Sequence, residues 1–175
     1  MKIINLGEKD SVLNSFIAEI RDHVIQKDSM RFRRNLERIG EVFAYEISKS
    51  LDYSEKDVVT PLGIAKCRTH DNEVVIASIM RAGLPLHDGI LHYFDKAQNA
   101  FIAAYRKYGK DNKFTIQIEY ASSPSVEGRT LILADTMLAT GSSVVLTYNR
   151  LCEISTPVHT HIVCPIASTE GIEYL

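Results

Sequence analysis

A chain of 175 residues, 45% apolar and 24% charged, has the composition of one ordinary globular domain, long enough to bury roughly 70% of its unfolded surface without disulfides or metal staples. Twenty Lys plus Arg against 22 Asp plus Glu leave a formal charge of −2, which argues against a general nucleic-acid or membrane-surface binder and makes any anion site local. No apolar run reaches the length of a membrane span, and Met1-Lys2-Ile3-Ile4-Asn5-Leu6-Gly7-Glu8 lacks the apolar core of a secretory signal. Cys67, Cys152 and Cys164 are odd in number and widely spaced. The expectation is a reduced, cytoplasmic protein that binds neither membrane nor nucleic acid.

The chain opens on two helical stripes. Val12, Phe16, Ile20 and Val24 recur four apart, and Phe32, Leu36, Ile39, Phe43 and Ile47 form a second apolar face, predicting helices over 12–25 and 29–50. Arg31, Arg34 and Arg38 share a face of the second, as a solvated surface or as a contact for an anionic partner. From residue 58 the texture changes to short β-branched runs at 58–60, 73–79, 100–105, 130–134 and 159–164. Several are apolar without alternation, as strands covered on both faces are. Helical stretches at 84–94 and 142–154 alternate with them, so the expected architecture is α/β, a central parallel sheet flanked by helices. Residues 114–120 alternate with period two and precede the turn-rich Ser122-Ser123-Pro124-Ser125, which predicts a protruding β-arm that leaves the main sheet. No repeat or linker divides the chain, so residues 1–175 form a single domain.

Ligands of open α/β sheets bind beyond the carboxyl ends of the strands. After 130–134 come Asp135-Thr136-Met137-Leu138-Ala139-Thr140-Gly141-Ser142-Ser143, a carboxylate followed by a small, hydroxyl-rich turn that enters a helix. Such a turn offers backbone N–H groups, hydroxyls and the positive end of a helix to one small anion, best a phosphate. The same residues also permit a plain reading in which Thr140 or Ser142 caps the helix and Asp135 ends the strand. Neither G-x-x-x-x-G-K-[ST] nor G-x-G-x-x-G occurs. A second strand end gives Met80-Arg81-Ala82-Gly83, with a guanidinium suited to phosphate and a glycine suited to close approach. A third gives Tyr105-Arg106. His159 and His161, two apart on a strand, share a face but lack a third metal ligand in the sequence around them.

These segments together resemble a known family. Leu133 to Ser143 is similar to the phosphoribosyl diphosphate signature of type I phosphoribosyltransferases, and from Asp135 it has the wording of the uracil phosphoribosyltransferase branch, which usually reads Asp-Pro-Met-Leu-Ala-Thr-Gly-Gly-Ser. Ile79-Met80-Arg81-Ala82-Gly83-Leu84 resembles its Ile-Leu-Arg-Ala-Gly-Leu segment, Tyr105-Arg106 its Tyr-Arg, and Met30-Arg31-Phe32-Arg33 its early Arg-Phe-Arg helix. Thr136 stands for the usual Pro and Ser142 for a Gly.

The resemblance implies transfer of a 5-phosphoribosyl group from phosphoribosyl diphosphate to uracil, giving UMP and pyrophosphate in pyrimidine salvage. It implies that residues 139–143 hold the 5′-phosphate with the preceding Thr136, Met137 and Leu138, that Asp135 faces the ribose, and that Arg81, Ala82, Gly83 and Arg106 meet the pyrophosphate. Arg106 and Asp135 would be the catalytic pair. Ala134 precedes Asp135 where sister branches carry a second acid, so Mg²⁺ is expected to arrive on the substrate rather than in a protein-held metal site. The resemblance further implies a dimer and a non-proline cis bond at Arg81–Ala82. The family's Gly-Leu-Gly-Asp-Ala-Gly-like base-recognition loop has no counterpart before Leu175, so the expectation is a domain without that C-terminal segment. A purine-type phosphoribosyltransferase and a regulatory RNA-binding protein on the same fold remain the alternatives.

Overall fold

In a computed structural model, which describes residues 1–108, 114–153 and 155–175, the apolar run at 73–79 becomes the central strand of the sheet. The first helix, α1 (Val12–Arg21), is shorter than its apolar stripe. Asp22 stops it by accepting from the N–H groups of Val24 and Ile25 at 2.7 and 2.9 Å, bonds that hold its carboxyl below the usual carboxylate range. The second, α2 (Ser29–Ser48), starts where Asp28 caps the N–H groups of Met30 and Arg31.

Residues 53–70 form a hairpin apart from the main sheet, β1 (Tyr53–Thr60) against β2 (Gly63–His70), turning through Thr60-Pro61-Leu62-Gly63 with Gly63 at φ +133°. The chain then enters β3 (Val74–Met80), α3 (Leu84–Leu91), β4 (Gln98–Tyr108), β5 (Phe114–Ser122) and β6 (Thr130–Ala134). The two-residue β7 (Met137–Leu138), α4 (Ser142–Cys152), β8 (His159–Val163), the two-residue β9 (Ile166–Ala167) and α5 (Thr169–Tyr174) complete it.

The five-stranded sheet runs β5-β4-β3-β6-β8, with every pair parallel except β4–β5. The expected parallel α/β sheet is thus a mixed one. Residues 114–118 form the expected arm: they pair only with 104–108, past Ala103 where β4 stops pairing with β3, so the two strands run on beyond the rest of the sheet. The β1–β2 hairpin, a sheet of its own, leaves Val59 and Leu62 almost fully exposed.

Both faces of the sheet are covered, and adjacent residues serve opposite cores. Val74 and Ile76 of β3, with Ile132 and Ala134 of β6, meet Leu36, Ile39, Leu86 and Ile90 from α2 and α3. Val75, Ala77 and Ile79, with Leu131 and Leu133, meet Val144 and Leu151 from α4. This double burial is why β3 and β6 read as unbroken apolar runs.

The arginine face of α2 is engaged within the fold. Arg31 pairs with Glu19, Arg34 with Glu37, and Arg38 lies over the Phe16 ring and donates to Asn35.

Candidate active site at the strand ends

The central strand delivers the first candidate segment. β3 stays paired as far as Met80, opposite Ala103, and Arg81 is the first residue beyond the ladder. The cis peptide bond is Met80–Arg81, one bond earlier than expected, so it falls where the strand's last paired residue passes into the turn. Arg81 and Ala82 are exposed, while Gly83 is buried. A Cβ on Gly83 would stand 2.6 Å from the Ser78 hydroxyl, 2.8 Å from the Ile79 carbonyl and 3.3 Å from the Ala134 carbonyl. Glycine therefore lets the β3 turn lie against the end of β6, beside Asp135. From there α3 begins, with His87 N–H donating to the Gly83 carbonyl at 2.9 Å.

Asp135 leaves β6 half-buried, its N–H still donating to Val163 of β8 at 3.1 Å. Its carboxylate accepts from the Thr136 N–H at 2.7 Å. Burial pushes its pKa up, against the opposing pull of the Thr136 and Met137 N–H groups. The neighbouring Cys164 thiol is raised to about 11 by burial and by the Asp135 charge.

The turn that follows is held from behind. Met137 and Leu138 pair with Ile166 and Ala167, the Ser168 hydroxyl donates to the Ala139 carbonyl, and Ser168 N–H donates to Leu138 at 2.9 Å. Gly171 of α5 presses on the same carbonyls. Gly141 takes φ +75° at the N-cap of α4, and a Cβ there would meet Tyr174 at 3.0 Å. Ser142 is the first helical residue, so its place in the signature does not require the freedom of a glycine.

The cap supplies no side-chain acceptor to the first turn of α4. Thr140 reaches the Ser142 N–H only at 3.5 Å and instead shares a hydrogen bond with the Ser142 hydroxyl at 3.0 Å. Capping is therefore a minor part of what Thr140 does. The turn presents hydroxyls at 140 and 142 with Ser143 behind them, a donor-rich helix start suited to a phosphate.

Arg106 lies on β4, its backbone opposite Ile116 of β5; its side chain falls outside the described residues. The structure thus brings the 81–83 turn, Asp135 and the 139–143 turn to neighbouring strand ends. The sequence reading missed the support from Ser168 and Gly171. Ser-Thr-Glu-Gly, in which the Ser168 hydroxyl accepts from the Gly171 N–H at 2.9 Å, was the available helix-start signal. His159 and His161 lie side by side with ring centroids 4.5 Å apart and planes tilted by 55°, and the Ser50 hydroxyl lies 3.4 Å from His161, so the pair is packed against a hydroxyl.

Comparison with known proteins places this geometry. A family model described as uracil phosphoribosyltransferase matches residues 8–175. A Porphyromonas gingivalis protein named uracil phosphoribosyltransferase is 50% identical over 175 residues, all of this chain and 81% of that protein. A Pyrococcus furiosus protein of the same name is 33% identical over 171 residues, 94% of this chain and 71% of the relative. Among solved structures, the AQ2163 protein from Aquifex aeolicus superposes with a TM-score of 0.83 at 24% identity, over 94% of this chain and 77% of the other. A purine phosphoribosyltransferase from Pyrococcus horikoshii does so with a TM-score of 0.57 at 12% identity, over 77% and 75%. At such identities the two structures speak for the fold alone, whereas the sequence matches carry the family. With half of its residues shared along its whole length, and a family match that takes in every strand end described above, the chain belongs to the uracil phosphoribosyltransferase family.

Proposed function

We propose that the strand-end site transfers the 5-phosphoribosyl group of phosphoribosyl diphosphate to N1 of uracil. The C1–O bond to pyrophosphate breaks, the N1–C1 bond forms, and the N1 proton is released, giving UMP and pyrophosphate. The observation that carries this reading is a family match over residues 8–175 that takes in a donor-rich turn beside a half-buried carboxylate.

The chemistry asks the protein for positioning and charge, because C1 becomes cationic as pyrophosphate departs. In this reading Thr140, Gly141, Ser142 and Ser143, with Ala139, hold the 5′-phosphate, and Thr136, Met137 and Leu138 connect that cradle to β6. Asp135 faces the ribose hydroxyls and the developing positive charge at C1. The exposed Arg81, the Ala82–Gly83 backbone and Arg106 take the pyrophosphate. Arg106 and Asp135 act as the catalytic pair.

Mg²⁺ fits as a passenger of the substrate. Asp135, preceded by Ala134, offers a carboxylate, and Mg²⁺ is commonly held by one or two carboxylates plus substrate phosphates. Bound in that way it would neutralise part of the leaving-group charge, with Asp135 as the protein group within the site able to meet it.

Residues 1–175 are read as one phosphoribosyltransferase-like domain. A cytoplasmic dimer is the proposed setting. Among the described residues no helix is long and apolar enough to cross a membrane. The test is UMP formation from uracil, phosphoribosyl diphosphate and Mg²⁺, run beside hypoxanthine, guanine and adenine. Turnover of a purine in preference to uracil would assign the site to the purine branch.

A further inference from the structure

We propose that Glu37, Glu41 and His92 form a binding site for one divalent transition-metal ion of the zinc type, separate from the strand-end site. Glu37 and Glu41 stand four apart on α2 and so share a face. His92 caps the C-terminus of α3. The two helices can cross this closely because Gly40 and Gly89 face each other's backbones. A Cβ on Gly89 would overlap the Glu37 carbonyl, and one on Gly40 would overlap the Leu86 carbonyl. The crossing therefore fixes Glu37, and with it the spacing of the two carboxylates from the end of α3.

His92 Nδ1 lies 3.0 Å from Glu41 Oε1, and its Nε2 lies 3.7 Å from Glu37 Oε1. One ligand atom from each of the three residues lies within 4.8 Å of the others. A tetrahedral ion with bonds of about 2.1 Å needs its ligand atoms roughly 3.4 Å apart, so side-chain rotation alone closes the set. The side chains are 22%, 29% and 50% exposed for Glu37, Glu41 and His92, which leaves room for water in the remaining position.

The donor set decides the class of ion. An imidazole with two carboxylates suits zinc and its neighbours, whereas Mg²⁺ prefers oxygen ligands alone. One rival on the same surface is Arg34, whose guanidinium lies 2.5 Å from Glu37 Oε1 and competes for that carboxylate.

The experiment is a calorimetric titration of Zn²⁺ into the chelator-stripped chain, without phosphoribosyl diphosphate. One saturable site is expected. Losing a direct ligand should cost at least what losing an outer partner does, so His92→Gln and Glu41→Gln should each weaken binding by about tenfold or more. Arg34→Gln should tighten it, while Asp135→Asn and His159→Gln should leave it unchanged. Loading with Cu²⁺ should show nitrogen coupling in the electron paramagnetic resonance spectrum that His92→Gln removes, with circular dichroism checking that each variant is folded. The proposal is overturned if the wild type binds no Zn²⁺ saturably, if both ligand variants bind as the wild type does, or if the loss follows Asp135 or His159.

Discussion

Gly171 lies against the backbone of Ala139 so closely that a Cβ on it would sit 2.7 Å from the Ala139 carbonyl oxygen and 2.8 Å from that of Leu138. Backbone cannot swing away as a side chain can, so Gly171→Ala must displace either α5 or the phosphate-binding turn. The expected result is a loss of about 1–3 kcal/mol in stability, as for other overpacked sites, together with weaker phosphoribosyl diphosphate binding. Thermal unfolding and ligand titration of the same variant check both. A variant with wild-type affinity would show that the turn keeps its shape without α5.

Thr140 makes the complementary test, since its hydroxyl faces the donor-rich helix start and does little capping at 3.5 Å from Ser142 N–H. Thr140→Val should leave the melting temperature nearly unchanged and weaken phosphoribosyl diphosphate binding by about 1.5–3 kcal/mol, the worth of a hydrogen bond to a charged group. Unchanged affinity with a lowered melting temperature would return Thr140 to the role of a cap.

What could be read from residues alone follows from which faces are buried. β3 and β6 were legible because Val75 and Ile76, or Leu131 and Ile132, face opposite cores, leaving no polar alternation to confuse the signal. The β1–β2 hairpin was legible only at 58–60, because Val59, Leu62 and Ile64 are exposed and the rest of β1 is exposed throughout. Beside the 58–60 run its clear mark is Pro61-Leu62-Gly63, a turn signal. The period-two run in β5 was legible as an arm because alternation marks a strand covered on one face only, and past Ala103 it pairs with β4 alone. In the site, Asp135 and the 139–143 turn carry their chemistry in their side chains and were found. The contributions of Gly171 and Ser168 are a close backbone approach and a hydroxyl donated to a carbonyl, made across 29 to 33 residues, which local pattern does not encode.

His87 predicts a dependence of stability on pH. It is 2% exposed, with Nε2 2.8 Å from the Asn99 side-chain oxygen, and burial pushes its pKa below the ordinary imidazole value. His161 is shifted the same way by burial and by His159. A histidine whose folded pKa lies below its unfolded one has no effect while both states are neutral. As pH falls through about 6.5 the unfolded chain takes up protons first, and stability is lost down to the folded pKa. Urea unfolding should therefore show lower stability at pH 5.5 than at 7.5, with a smaller decline in His87→Gln, which keeps a donor for Asn99 and cannot charge. An equal decline in wild type and variant would clear His87 of the effect.

Asp135 predicts a separation of stability from activity. Burial raises its folded pKa above the unfolded value, so the stabilising, protonated form is the one present at low pH, and that contribution is lost as pH rises through the folded pKa. Near neutrality the free protein therefore holds a carboxylate charge that its fold does not favour. Asp135→Asn keeps the shape and removes the charge, so its melting temperature should equal or exceed that of the wild type. Its kcat/KM should fall by about 10²–10³-fold, the cost of removing one preorganised electrostatic group from a developing charge. Cys164 supplies an independent readout, because part of its rise to about 11 comes from the Asp135 charge. In the variant its thiol should react with an alkylating probe at lower pH than in the wild type. A variant that keeps wild-type turnover while Cys164 responds as expected would show that the charge is present but takes no part in the transfer.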